Sequence, residues 1–256
     1  MDRRRRRLWS LGLLTLGVAL GVCLLPAIPQ DPAYHRFADD RSLFGIPNVL
    51  NVVSNLPMFV LGLLGLLCLG RRRCAVFADR RESFAYAAFF LGTALIGCGS
   101  AWYHLVPDNE RLFWDRLPMA VTFMAFCSAM LAERVSVACG RHLLFPLLTL
   151  GVASVVWWRL SDLAGSGDLR LYGFVHFYPV VLIPLLLRLF PARYSRGGEV
   201  WGALFFFILA VVCELLDRAI FALGAVVSGH TLKHLFAAVA VWWVLRMLAQ
   251  RRLADG

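Results

Sequence analysis

The amino-acid sequence predicts an all-α protein, a polytopic transmembrane helix bundle with a seven-helix core and one extra N-terminal helix. Three observations predict it. Of 256 residues, 60% are hydrophobic and 16% charged, with a mean hydropathy of +0.70, whereas soluble domains run about 45–50% apolar and about 25% charged. The polar residues lie between apolar runs of about 17–23 residues, each long enough to cross a hydrocarbon core about 30 Å thick as a helix. The arginines gather in alternate loops, the pattern that retains positive charge on the cytoplasmic side.

The first run, 8–26, follows Arg3 to Arg7 and shares that order with a signal peptide. Its apolar stretch exceeds the usual core of about 7–15 residues, and Pro26 to Pro29 offer no A-x-A cleavage site, so a retained helix is expected. Residues 1–27 therefore read as a basic segment with an extra transmembrane helix or uncleaved signal anchor, 28–47 as an extramembrane loop on the outer face, and 48–250 as the seven-helix bundle. The loop carries Tyr34, His35, Arg36, Phe37, Asp39, Asp40 and Arg41. It is too polar to enter lipid and is expected to fold back over the outer face. The remaining spans fall at 48–69, 84–105, 113–132, 142–158, 172–190, 201–223 and 230–249.

With Arg3 to Arg7 in the cytoplasm, the loops holding Arg71, Arg72, Arg73, Arg80 and Arg81, then Arg134 and Arg141, then Arg193 and Arg196, and finally Arg251 and Arg252 all fall inside. The opposite loops carry Asp39, Asp40, Asp108, Glu110, Asp162 and Asp168. Both termini are thus expected in the cytoplasm, and the arginine bias fits a bacterial inner membrane. The net charge of +10 is accounted for by this topology and implies no nucleic-acid partner. Of seven cysteines, Cys23, Cys68, Cys98, Cys127 and Cys213 sit inside apolar runs without C-x-x-C spacing. They read as small core residues, with neither a disulfide framework nor a thiolate metal site expected.

Ionisable residues inside spans cost about 2.5–3.5 kcal/mol each on insertion, so each asks for a partner or a purpose. Here they gather. His104 ends the third span, Asp115 opens the fourth, and His230 and His234 open the eighth, all near the outer face by a topology derived without reference to them. His230 and His234 are i and i+4, one turn apart on one helix face, the spacing that lets two imidazoles grip one metal. His104 supplies a third nitrogen and leaves the fourth position of a tetrahedral zinc open, the arrangement of a catalytic site. Such a zinc acidifies water and polarises a carbonyl. Asp115 is placed to shuttle a proton, and Ser100, one turn before His104, to hydrogen-bond a developing oxyanion. Each feature alone has a plainer reading: H-x-x-x-H as interhelical glue, Ser100 as packing, Asp115 with Arg116 as an interfacial ion pair. The convergence favours the metal.

Ser100-x-x-x-His104, Asp115 eleven positions later, His230-x-x-x-His234 in the last span and Asn51-Val-Val-Ser54-Asn55 opening the second together resemble the alkaline ceramidases. These belong to a superfamily of seven-helix membrane hydrolases with adiponectin-receptor-like and GPI-lipid-remodelling proteins. The resemblance covers roughly 37–249. It implies zinc on His104, His230 and His234, with Asp115 and Ser100 acting beside the water. It also implies a calcium site in the acidic N-terminal loop, where Asp39, Asp40 and Asn48 stand, although Asn48 replaces an expected glutamate and Asp39 and Asp40 are equally placed to pair with Arg36 and Arg41.

The resulting expectation is a zinc-dependent intramembrane amidase cleaving ceramide or a related sphingolipid to a sphingoid base and a fatty acid. Its partner is a membrane lipid. The alternatives are hydrolysis of another lipid ester or amide, and a receptor-like protein with a structural metal. Among the remaining polar residues, Glu214 and Asp217 read as members of buried ion pairs, with Asp217 and Arg218 approaching the outer face. His176 reads as a substrate contact or an interhelical donor. Lys233, the chain's one lysine, reads as snorkelling toward lipid headgroups, away from the metal.

Overall fold

Hydrocarbon offers no partners to a bare peptide group, so a chain of this composition must satisfy its backbone within helices. The computed structural model describes residues 2–71 and 76–254, which places Arg72 and Arg73 outside the described residues. It is all-α: α1 Arg3–Leu24, α2 Val49–Val53, α3 Leu56–Gly70, α4 Ser83–Leu105, α5 Asn109–Arg134, α6 Val137–Leu163, α7 Arg170–Leu189, α8 Glu199–Leu215, α9 Asp217–Ala222 and α10 Gly229–Gln250. Among the described residues, seven helical segments are long and apolar enough to cross a membrane, counting α2 and α3 as one. The chain is an integral, multi-pass membrane protein.

Two expected spans are broken. The span at 48–69 divides at Ser54 and Asn55, where Pro57 lacks the N–H that would continue the ladder. The span at 201–223 divides at Leu216, leaving α8 with 17 residues, at the lower limit for crossing. Both breaks lie beside the histidines, and both release polar groups that the site uses.

The bundle is organised around α5, which packs on α4, α6 and α7, and around α10, which packs on α8 and α3; α3 and α4 close the ring. Helix α1 lies outside, against α7, where Thr15 Oγ1 and Tyr178 Oη hydrogen-bond at 2.6 Å. One glycine permits the critical approach between α4 and α5: a Cβ on Gly99 would stand 2.4 Å from the Trp114 carbonyl oxygen. That contact sets Ser100 beside Asp115.

At the end remote from the histidines, Arg251 donates to the Glu133 carboxylate, which also accepts from Tyr86 Oη at 2.6 Å. Glu82 accepts from Tyr194 Oη at 2.9 Å and caps its own helix start. These buried charges are paired as their cost demands. Cys68 is disulfide-bonded, contrary to the expectation from spacing, while Cys23, Cys98, Cys127, Cys139 and Cys213 are free.

Candidate metal centre

The end of α4 and the first turn of α10 meet so that His104, His230 and His234 are all buried, with one ring nitrogen of each within 4.8 Å of the others. The Nε2 atoms of His104 and His230 stand 3.3 Å apart. Two nitrogens bound to one tetrahedral zinc at about 2.05 Å would be separated by about 3.3 Å. Facing lone pairs of two neutral imidazoles repel unless a proton or cation lies between them, so the donor set and its spacing fit a metal ion.

His234 is oriented by the break in the second span. Ser54 Oγ lies 2.8 Å from His234 Nδ1 and donates its own hydrogen to the Asn51 carbonyl at 3.2 Å. The serine therefore accepts from Nδ1–H, which turns the basic Nε2 toward the other two rings. Asn51 ties the same helix to α10 by accepting from Thr231 Oγ1 at 2.8 Å, and it reaches the segment before α2 by donating to the Asp39 carbonyl at 3.2 Å. Asn51, Ser54 and Asn55 share one helix face, i, i+3 and i+4.

His230 is fixed through its backbone. Asp217 Oδ1 accepts from His230 N–H at 2.8 Å while Oδ2 accepts from Ala38 N–H at 2.9 Å. An anion thus sits at the N-terminus of α10, where the helix dipole favours it. Gly229 allows the approach, since a Cβ there would stand 2.1 Å from the Cys213 carbonyl oxygen. Asp217 makes no ion pair with Arg218 among the described residues, which corrects the expectation of a pair there; Arg218 reaches the Arg36 carbonyl instead.

The segment before α2 folds back over the histidines. Phe37 covers the triad, its ring centroid 4.6 Å from that of His104 and 4.7 Å from that of His230. His35 anchors the loop, Nδ1 to Tyr103 Oη and Nε2 to Asn109 Oδ1, each at 2.9 Å.

Two of the three residues considered for calcium, Asp39 and Asn48, are engaged in hydrogen bonds. Both Asp39 oxygens are held by Arg41, Oδ1 by Nε and Oδ2 by Nη2, each at 2.7 Å, and this guanidinium keeps the Asp39 carboxyl below the usual carboxylate range. Asp40 is exposed. Asn48, in the left-handed region at φ 47°, donates Nδ2 to the His104 carbonyl at 2.9 Å. Asn48 thus closes the end of α4 and positions His104, and asparagine tolerates that backbone better than most residues.

Asp115 and Ser100 meet His234 on the wall of one cavity of about 970 Å³, counting its open mouth, that runs among α3, α4, α5, α7, α8 and α10. Ser100 and Asp115 share this wall, and Asp115 Oδ1, buried, has no hydrogen-bond partner among the described residues. An acceptor in that state is available to a proton donor entering the cavity. Asp115 forms no ion pair with Arg116, which packs instead on the rings of Trp158 and Tyr172 and donates to Gln30 Oε1 at 2.6 Å. Apart from these groups and Asn55, Thr122 and Lys233 the wall is apolar, with Met58, Phe89, Phe126, Ile183, Leu204 and Val244 among its residues. His176 lies behind that wall, its ring against Phe123 and Phe207.

Lys233 does not snorkel. Its Nζ is 2.6 Å from Glu214 Oε1 and its side chain lines the same cavity, while Tyr34 Oη donates to Glu214 Oε1 at 3.2 Å. Periodicity places Lys233 off the histidine face, but α8 approaches from that side and encloses it. Ser54, Phe37, Asp217 and the Lys233–Glu214 pair were the site residues that spacing alone did not assign.

A family model described as ceramidase matches residues 45–188, more than half of the chain. The matched segment contains Asn51, Ser54, Ser100, His104 and Asp115 and ends before α10, so His230 and His234 join the site on geometry. No curated protein matches the chain.

Proposed function

The chain belongs to the ceramidase family, and from that premise we propose that it is a zinc-dependent intramembrane amidase, cleaving ceramide or a closely related sphingolipid to a sphingoid base and a fatty acid. The observation that carries the proposal is the meeting of three histidine nitrogens, two of them 3.3 Å apart, with an apolar cavity whose polar end holds Asp115 and Ser100. His104, His230 and His234 would hold the zinc, which supplies Lewis acidity and acidifies water at neutral pH.

The chain's own residues account for the rest. The apolar wall takes the lipid tails and excludes bulk water, which strengthens every polar contact at the closed end. Asp115, with Oδ1 unpartnered, accepts the proton of the attacking water and returns it to the nitrogen of the leaving amine. Ser100 donates either to the Asp115 carboxylate or to the carbonyl oxygen as charge develops on it. Phe37 and the outer loop close the centre from above. In the cell both termini are cytoplasmic and the centre faces the opposite side, a reading supported by the arginine distribution, which also favours a bacterial inner membrane.

The test is metal content and ceramide turnover of the purified protein beside His234→Ala and Asp115→Asn. Wild type is expected to carry about one zinc per chain. His234→Ala should lose metal and activity together, and Asp115→Asn should keep the metal and lose about 10²–10⁴-fold in rate. Absence of zinc, or wild-type rates in both variants, rejects the mechanism. Bound zinc without turnover of any lipid amide or ester supports a structural metal in a receptor-like protein.

A further inference from the structure

Asn55 stands at the break between α2 and α3, is 1% exposed, and lines the cavity with Ser100, Asp115 and His234. Half of its amide is engaged. Nδ2 donates to the Asn51 carbonyl at 2.8 Å, which fixes which end of the amide is the donor. Oδ1 is buried and has no hydrogen-bond partner among the described residues. An acceptor in that state bears its full desolvation cost, and hydrocarbon supplies no donor to offset it. On this wall Asp115 Oδ1 is the other buried side-chain oxygen without a partner among the described residues, and the amidase mechanism uses it. Asn55 has no part in that mechanism. Its Nδ2 faces His234 at Nδ1, 3.4 Å away, so its amide meets the edge of the ring that is not given to the metal.

We propose that Asn55 Oδ1 accepts a hydrogen bond from the polar head of the lipid substrate, and that the site thereby prefers a head with an N–H or O–H donor beside the scissile bond to one without. The inference deepens the amidase reading and rests on it. A lipid whose tails lie along the apolar wall brings its head to the residues that would do the chemistry, and Asn55 lines the cavity with them. A ceramide-like head carries the amide N–H and hydroxyls as donors; the corresponding ester lacks the N–H. A site built to hydrogen-bond a donor rejects the analogue without it, because its own acceptor is then left unpaired. Asn55 is neutral, so this preference comes from hydrogen bonding and does not depend on the charge at the histidines. Ser54 and Asn55, neighbours at one break in the helix, thus divide their work: the serine holds a histidine ring and the asparagine holds substrate.

The experiment is a cycle between Asn55 and the substrate. Zinc-loaded wild type, Asn55→Leu and Asn55→Ser are given four lipids in detergent micelles: ceramide, its ester analogue with oxygen in place of N–H, and its analogues lacking either the primary or the secondary hydroxyl. Turnover is read as kcat/KM, binding as displacement of a fluorescent ceramide, and zinc content is measured beside them. Asn55→Leu keeps the branching and removes the acceptor; Asn55→Ser withdraws the acceptor but keeps a hydroxyl able to donate to the carbonyl one turn back. Both should lose about 10-fold or more on ceramide, the cost of a buried group left unpaired, with zinc content unchanged. One analogue should escape, changing by less than about 2-fold, and it identifies the donor: the ester if the N–H is held, a deoxy analogue if a hydroxyl is. Equal losses on all four lipids overturn the proposal and leave the amidase reading intact, as does unchanged ceramide turnover in a folded, zinc-bound variant. Should Asn55→Leu fail to fold, the same cycle with Asn55→Ser decides. Wild type that hydrolyses none of the four, while binding shows the coupling to Asn55, refutes the amidase reading and leaves this assignment standing; absence of coupling in binding as well overturns both.

Discussion

If His104, His230 and His234 hold zinc as proposed, replacing Ser54 by alanine, which removes a single oxygen at His234, should lower zinc affinity by about 10–100-fold, the range for lost second partners of ligating histidines. That is about 1.4–2.7 kcal/mol. The hydroxyl stands 2.8 Å from His234 Nδ1, within the range of a good hydrogen bond, and Ser54 is only 5% exposed, so bulk water does not replace it. The neighbouring Asn55 presents Nδ2 to the same nitrogen at 3.4 Å, a donor facing a donor once Nδ1 carries the proton. Turning the Asn55 amide would offer its buried, unpartnered Oδ1, at the expense of the 2.8 Å bond from Nδ2 to the Asn51 carbonyl. This imperfect rescue sets the lower end of the range. Zinc affinity is read by competition with a chromophoric chelator on detergent-purified protein, with a thermal melt of the apo form as the folding control. Ser54→Thr should restore most of the affinity, and His234→Ala should abolish it. Unchanged affinity in a folded Ser54→Ala protein would refute the reasoning that Ser54 fixes the His234 tautomer.

Three further outcomes are expected. Gly229→Ala puts a Cβ 2.1 Å from the Cys213 carbonyl oxygen and should displace the first turn of α10, lowering metal occupancy without changing a ligand; Gly12→Ala, with nothing within 4 Å, is the control and should leave occupancy intact. Asn48→Ala removes the donor to the His104 carbonyl and leaves alanine at φ 47°, so the melting temperature should fall by an amount equivalent to about 1–3 kcal/mol, with Asn48→Gly intermediate because it relieves only the backbone. Asp168, in the loop between α6 and α7, is held below the ordinary carboxylate range by its paired hydrogen bonds with Arg170 and by Trp157 Nε1. A depressed pKa contributes stability above the unfolded value, about 3.9, and loses it as pH falls toward the folded one. Melts of wild type should therefore drop below about pH 4, and Asp168→Asn should start lower at neutral pH and show a shallower acid decline; parallel curves would refute the pair's contribution.

What the sequence determined by itself is the class of molecule and the identity of its chemical end. Apolar run length dictates membrane-spanning helices because hydrocarbon admits little else, and run order together with the arginine loops assigns His104, Asp115, His230 and His234 to one end of the bundle. The i, i+4 spacing of His230 and His234 is local, so helix geometry alone pairs them. The tertiary structure decided everything that joins distant segments. Ser54 meets His234 across 180 residues, Asn48 meets His104 across 56, and Phe37 covers rings from two helices; no periodicity encodes such meetings. Asn48 donates to a backbone carbonyl across 56 residues because the end of α4 presents one where it stands. Lys233 has the sequence position of a lipid-facing residue and is enclosed, because helical phase tells which face a residue occupies but not which helix lies against it. Whether a polar residue in a membrane helix is buried, paired or bathed in headgroups depends on its neighbours in space, and only the packed bundle supplies those.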